Sequence, residues 1–69
     1  DQATLERIMD ELARWYNFDY FFANAEARNM MLTARIKKYD NIDTVLDILS
    51  RTGDIRFSRK GNTITIVSR

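Results

Sequence analysis

The sequence predicts an α+β fold with the element order α-β-β-α-β-β, two helices packed with two small sheets or hairpins. Three observations carry this. Leu5, Ile8, Met9, Leu12, Trp15 and Tyr16 recur at three- and four-residue steps, one apolar stripe on a helix whose other side carries Glu6, Arg7, Asp10, Glu11 and Arg14. Two stretches, Phe18–Phe22 and Met30–Lys37, alternate with the two-residue period of a strand. Finally, the helix and the stretch after it have an echo 37 positions on, where Leu5, Ile8, Met9 and Leu12 meet Ile42, Val45, Leu46 and Leu49. Asp10 meets Asp47, Arg14 meets Arg51, Phe18 meets Ile55 and Tyr20 meets Phe57. A helix-then-strand unit is used twice.

Each element has a local reason. Thr4 is placed to cap the first helix, and Arg7–Glu11 and Asp10–Arg14 are i,i+4 pairs on its solvated face. Asn17 suits the left-handed residue that stops it. In Phe18–Phe22, Phe18, Tyr20 and Phe22 share one face, and Asp19 and Phe21 the other. Ala23–Asn29 lacks a period and reads as a loop holding one helical turn. In Met30–Lys37, Met30, Leu32, Ala34 and Ile36 point one way, and this strand is expected to pair with Phe18–Phe22. Met30 and Met31 read as packing and strand surface.

Lys38-Tyr39-Asp40-Asn41 breaks that strand, and Asp40 or Asn41 caps the second helix. Its stripe is Ile42, Val45, Leu46 and Leu49, widened by Ile48, with Asp47–Arg51 as an i,i+4 pair. Gly53 is the expected left-handed stop. Ile55 and Phe57 then face inward, a turn comes at Lys60-Gly61, and Ile64 and Ile66 face inward on Asn62–Val67. Centring the turn between Lys60 and Gly61 pairs Phe57 with Ile64 and Ile55 with Ile66. Centring it one residue later pairs Ile55 with Ser68, so the first register is expected.

Sixty-nine residues make one domain, expected to be a piece of a longer protein. Cys and His are both absent, so packing alone must hold the fold, helped by a 45% hydrophobic share. No apolar run is long enough to span a bilayer. The net charge of +1 is unevenly spread. Residues 1–34 carry three basic against six acidic residues, and residues 35–69 eight against four. That is either ordinary polarisation or a charge-steered docking surface.

The residue types argue against an enzyme. Without His or Cys, the commonest general base, the thiolate nucleophile and the soft-metal ligands are missing. Ser50, Ser58 and Ser68 have no evident base. Asp43 and Asp47 share a helix face, but a hard metal needs several more oxygens, and exposed helix acids are the simpler reading. The two glycines form no phosphate-binding loop. An RNA-stacking platform of Tyr20, Phe21 and Phe22 with Arg35, Lys37, Lys38, Arg56, Arg59 and Lys60 lacks the basic–Gly–aromatic strand motif and a GxxG clamp. No cofactor, metal or nucleic acid is expected.

An ordered set of segments resembles a known family. Arg14-Trp15-Tyr16, Lys38-Tyr39-Asp40-Asn41-Ile42, Val45-Leu46-Asp47-Ile48-Leu49, Thr52-Gly53, Phe57 and Thr63-Ile64-Thr65-Ile66 together look like the C-terminal domain of FecR-type anti-sigma factors. The resemblance runs over essentially the whole chain. It implies a fold related to the short N-terminal domain of secretins and TonB-dependent receptors. It also implies a periplasmic location, with the parent protein anchored in the inner membrane. The implied partner is the N-terminal signalling domain of a TonB-dependent outer-membrane transducer, and the implied output is control of a sigma factor. A structural oligomerisation domain, as in secretin-like assemblies, is the alternative. The family pattern has an aromatic strand before the first helix. Only Asp1-Gln2-Ala3 precede it here, so that strand is expected to be trimmed or supplied by a partner.

Strand addition at an open sheet edge is the expected binding mode. The candidate edges are Phe18–Phe22, through Phe18, Tyr20 and Phe22, and Thr63–Val67, through Thr63, Thr65 and Val67. Trp15 and Tyr16 are either binding anchors or the side chains that close the core at the helix end.

Overall fold

A computed structural model describes residues 2–33 and 41–69. Its elements are β1 (Ala3–Thr4), α1 (Leu5–Tyr16), β2 (Asp19–Phe22), α2 (Ala25–Arg28), β3 (Met31–Leu32), α3 (Ile42–Thr52), β4 (Ile55–Lys60) and β5 (Thr63–Ser68). The expected strand over Met30–Lys37 is seen as β3. Its continuation at Ala34–Lys37, and the break at Lys38-Tyr39-Asp40, lie outside the described residues.

Both long helices begin and end largely as their sequences dictate. The Thr4 hydroxyl accepts from the Arg7 amide at 3.2 Å. The Asn41 side chain accepts from the Thr44 amide at 2.8 Å. Asn17 ends α1 in the left-handed region, φ 57°, its amide donating to the Ala13 carbonyl. Gly53 departs from expectation. It ends α3 in an extended conformation, φ −115° and ψ 169°, which any residue adopts. Glycine is there for space instead, because a Cβ at Gly53 would lie 2.6 Å from Leu32 Cδ2.

The apolar stripes of α1 and α3 meet in one core. Leu5, Met9 and Leu12 from α1 join Val45, Leu46 and Leu49 from α3, with Phe18, Ala27, Leu32, Ile55, Ile64 and Ile66. Burial of these side chains is the main force holding so small a domain together. Of the α1 surface pairs, neither Arg7–Glu11 nor Asp10–Arg14 closes among the described residues; Asp10 accepts the Tyr20 hydroxyl instead. Asp47–Arg51 does close, at 3.0 Å.

Strand pairing corrects two expectations. β2 does not pair with β3. It runs parallel to β5, with Tyr20 beside Ile64 and Phe22 beside Ile66. β3 pairs antiparallel with β1, Ala3 against Leu32 and Thr4 against Met31, so a short strand does precede the first helix. The three-stranded sheet has the order β2-β5-β4.

The final hairpin takes the other of the two registers. Phe57 pairs with Ile66, Arg59 with Ile64 and Ile55 with Ser68. Moving the turn centre by one residue shifts each partner by two along the opposite strand, which leaves both strands' faces unchanged. Face alternation therefore does not distinguish the two registers. Turn chemistry does: Gly61 takes φ 60° as the first residue of the Gly61-Asn62 turn, where a II′-type hairpin wants glycine. Apolar pairing is not lost, because β5 is central. Ile64 and Ile66 find Tyr20 and Phe22 on their other flank, and Ile55 is fully buried although it sits opposite Ser68.

Candidate functional site: the free edge of β2

The left-handed Asn17 turns the chain out of α1, buries Phe18 and delivers β2 alongside β5. Two asparagines fasten that strand at its ends. Asn62 accepts from the Asp19 amide through its carbonyl at 2.9 Å and donates from Nδ2 to the Asn17 carbonyl at 3.0 Å. At the other end the Ala23 amide donates to the Ile66 carbonyl at 2.8 Å. There Asn24 accepts from the Ser68 amide at 2.9 Å and donates to the Ser68 hydroxyl.

These bonds fix which backbone groups are used. In a parallel ladder alternate residues bond to the same neighbour. The amides of Asp19 and Ala23 point at β5, so the N–H and C=O of Tyr20 and Phe22 point the other way. No strand among the described residues lies there.

The side chains around that edge form a connected set. On the inner face, Tyr20 and Phe22 meet edge-to-face, centroids 5.7 Å apart. The Arg28 guanidinium sits over the Phe22 ring at 5.5 Å and pairs with Glu6 at 3.4 Å. The Tyr20 hydroxyl donates to Asp10. Partial burial, then the Asp10 hydrogen bond and the nearby carboxylates of Asp10 and Glu6, push the Tyr20 phenol up to about 12, against the opposing pull of Arg28. On the outer face Phe21 is 54% exposed, the largest exposed aromatic among the described residues.

The opposite edge is different in kind. β4 presents Arg56, Ser58, Arg59 and Lys60, all exposed. Charged side chains on an edge strand discourage pairing with another chain. Arg59 also reaches back to Asp43 on α3 at 2.9 Å. A groove of about 320 Å³ beside it is lined by Asp43, Asp47, Arg56 and Arg59, among others. The two carboxylates weighed as a hard-metal pair are thus each engaged by an arginine. No group of three or more metal-ligating side chains occurs among the described residues.

The sequence-predicted residues fall into three places. Tyr20 and Phe22 lie on the free edge, and Phe18, 9% exposed, precedes it in the core. Thr63, Thr65 and Val67 belong to the central strand, so Thr63–Val67 is not an edge and cannot accept a further strand. They face outward beside Asp19, Phe21 and Arg56. Trp15 and Tyr16 are half-buried against the core at the end of α1. Of the side chains around the β2 edge, sequence reasoning misses Asp10 and Arg28, and names Phe21 only as the outward face of the strand and in the stacking platform. The i,i+4 spacing of Glu6 and Asp10 on one helix face is the available signal for the first.

A family model described as FecR, C-terminal, matches residues 1–66. The chain belongs to the FecR C-terminal family. No curated protein and no solved structure matches it. This FecR C-terminal chain is therefore a regulatory signalling domain of the type found in FecR-type anti-sigma factors. FecR-type proteins take part in signalling with TonB-dependent receptor systems, and this domain is their periplasmic part. None of the described helices is long and apolar enough to cross a membrane.

Proposed function

We propose that this FecR C-terminal domain receives the N-terminal signalling domain of a TonB-dependent outer-membrane transducer by strand addition to β2. The contact passes the transducer's state toward the sigma factor that the parent regulator controls. The backbone edge at Tyr20 and Phe22, which no strand among the described residues covers, carries this reading. Main-chain hydrogen bonds supply the contact in such additions, and alternate side chains supply the choice of partner. Of the two edges of the three-stranded sheet, β2 is aromatic and β4 is guarded by charge. Trp15 and Tyr16 lie one turn of chain away and act from the core side, holding the end of α1.

The test is a titration of the domain with the isolated signalling domain of its neighbouring transducer, by calorimetry and light scattering. A one-to-one complex is expected. N-methylation of the Tyr20 amide removes one outward donor and no internal bond, so it should weaken that complex at least tenfold with Tm unchanged. Undiminished affinity would rule out strand addition at β2. Self-assembly without the transducer would favour an oligomerisation role.

A further inference from the structure

We propose that the segment added to β2 is a basic one, carrying two consecutive Lys or Arg residues. This rests on the strand-addition reading above and names the chemistry of the incoming strand. Two carboxylates flank the start of the edge on opposite faces of the sheet. Asp19 is exposed on the outer face, beside Thr63. Asp10 lies on the inner side, where it accepts the Tyr20 hydroxyl. That partner is a neutral phenol, which does not neutralise the charge on Asp10. Among the described residues no cation lies within ion-pair distance of either carboxylate. Arg14, which lines a shallow hollow with Asp10, does not close on it.

The far end of the edge is already neutralised. Glu6 and Arg28 pair there, and Arg28 covers Phe22. The edge therefore runs from acidic at Asp19 and Tyr20 to aromatic at Phe21 and Phe22. Successive residues of an added strand point to opposite faces. One basic residue would meet Asp19 and its neighbour would meet Asp10. In antiparallel addition, the geometry more stable for a short pairing, the basic pair comes after the apolar residues that meet Phe21 and Phe22.

The test uses two capped eight-residue peptides, TVIVKRTV and its neutral counterpart TVIVQQTV, titrated into the domain with amide shifts followed by NMR. Both peptides should move the Tyr20 and Phe22 amides, the basic one binding about tenfold more tightly at low salt. The double variant D10N/D19N, altered at two exposed positions, should bring the two affinities together. Equal affinities for the unmodified domain would overturn the basic-strand proposal while leaving strand addition standing. If neither peptide moves Tyr20 and Phe22, strand addition falls and this proposal with it. Tighter binding by the basic peptide without those shifts would be adsorption to the surface, and would overturn the proposal as well.

Discussion

Gly53→Ala adds one carbon at the end of α3, and the structure says what that carbon meets. It would lie 2.6 Å from Leu32 Cδ2 and 3.5 Å from Met30 Sδ. Leu32 is 5% exposed and belongs to the short strand β3. Overpacking a filled site costs about 1–3 kcal/mol. Against that, losing a glycine from the unfolded chain stabilises by about 0.4–1 kcal/mol, since the backbone here needs no positive φ. The clashing atom is the end of a side chain, so the cost falls in the lower part of its range. The net expectation is a loss of about 1 kcal/mol, or roughly 4–8 °C in Tm for a domain this size. Thermal and urea unfolding followed by circular dichroism measure it, with an unchanged m value. The decisive arm is the same change in a Leu32→Val background, where the offending methyl is drawn back. There Gly53→Ala should become neutral or stabilising by about 0.5 kcal/mol. A Tm that holds or rises in the unmodified chain, or a cost that persists beside Val, would refute the close-approach account.

Three further outcomes are expected. Leu12, 1% exposed, sits in the middle of the core. Leu12→Ala should cost about 2–5 kcal/mol, comparable with the whole stability of so small a domain, and abolish the cooperative thermal transition. Asn17→Ala should lose about 1 kcal/mol because φ is 57° there, whereas Asn17→Gly should be neutral or better, read as paired urea midpoints. The Tyr20 phenol is raised from 10.0 to about 12, so between those values the folded state holds a proton that the unfolded state releases. Stability falls as pH rises through that window and is intact below it. Tyr20→Phe should flatten this alkaline loss and remove a late-titrating phenolate from the absorbance at 295 nm; if the phenolate lost is one that titrates near 10.0, burial and Asp10 do not hold the phenol up.

Much of this could be read from local sequence because it is decided locally. A cap is a bond across three residues, and Thr4 and Asn41 both make it. Asn17 needs only its own backbone, and the stripes of α1 and α3 need only helical spacing. The features that local sequence misjudges are decided at long range. Gly53 looks like a helix stop, yet its constraint is Leu32, some twenty residues earlier. The alternation in Phe18–Phe22 announces a strand without saying which neighbour it takes. The partner is β5, more than forty residues on. The last hairpin is decided locally, by Gly61 at the start of its II′ turn, and is misjudged only when apolar pairing is weighed instead, because the apolar partners of Ile64 and Ile66 lie partly on β2. The free edge is legible as a strand, but its openness is not.

The internal echo explains why the proposed docking uses one edge and not two. α1-β2 and α3-β4 are two copies of the same helix-then-strand unit, their strands flanking β5. The 37-residue offset places cap on cap, Thr4 on Asn41, and core on core, Leu12 on Leu49 and Phe18 on Ile55. A symmetric pair of units would offer two equivalent sheet edges, and an open sheet with two such edges grows by stacking on itself. The units part company at the strands. Asp19-Tyr20-Phe21-Phe22 corresponds to Arg56-Phe57-Ser58-Arg59. The inward aromatic is kept, Tyr20 on Phe57, because the core requires it. The outward positions change sign and character, acid to base and aromatic to hydroxyl. Phe22, an aromatic on the edge of β2, becomes Arg59, tied to Asp43. Those substitutions close one edge by charge and leave the other, which no strand among the described residues covers, with an aromatic border, which is what the proposed docking needs if the domain is to accept one strand from a partner without adding strands indefinitely from its own kind.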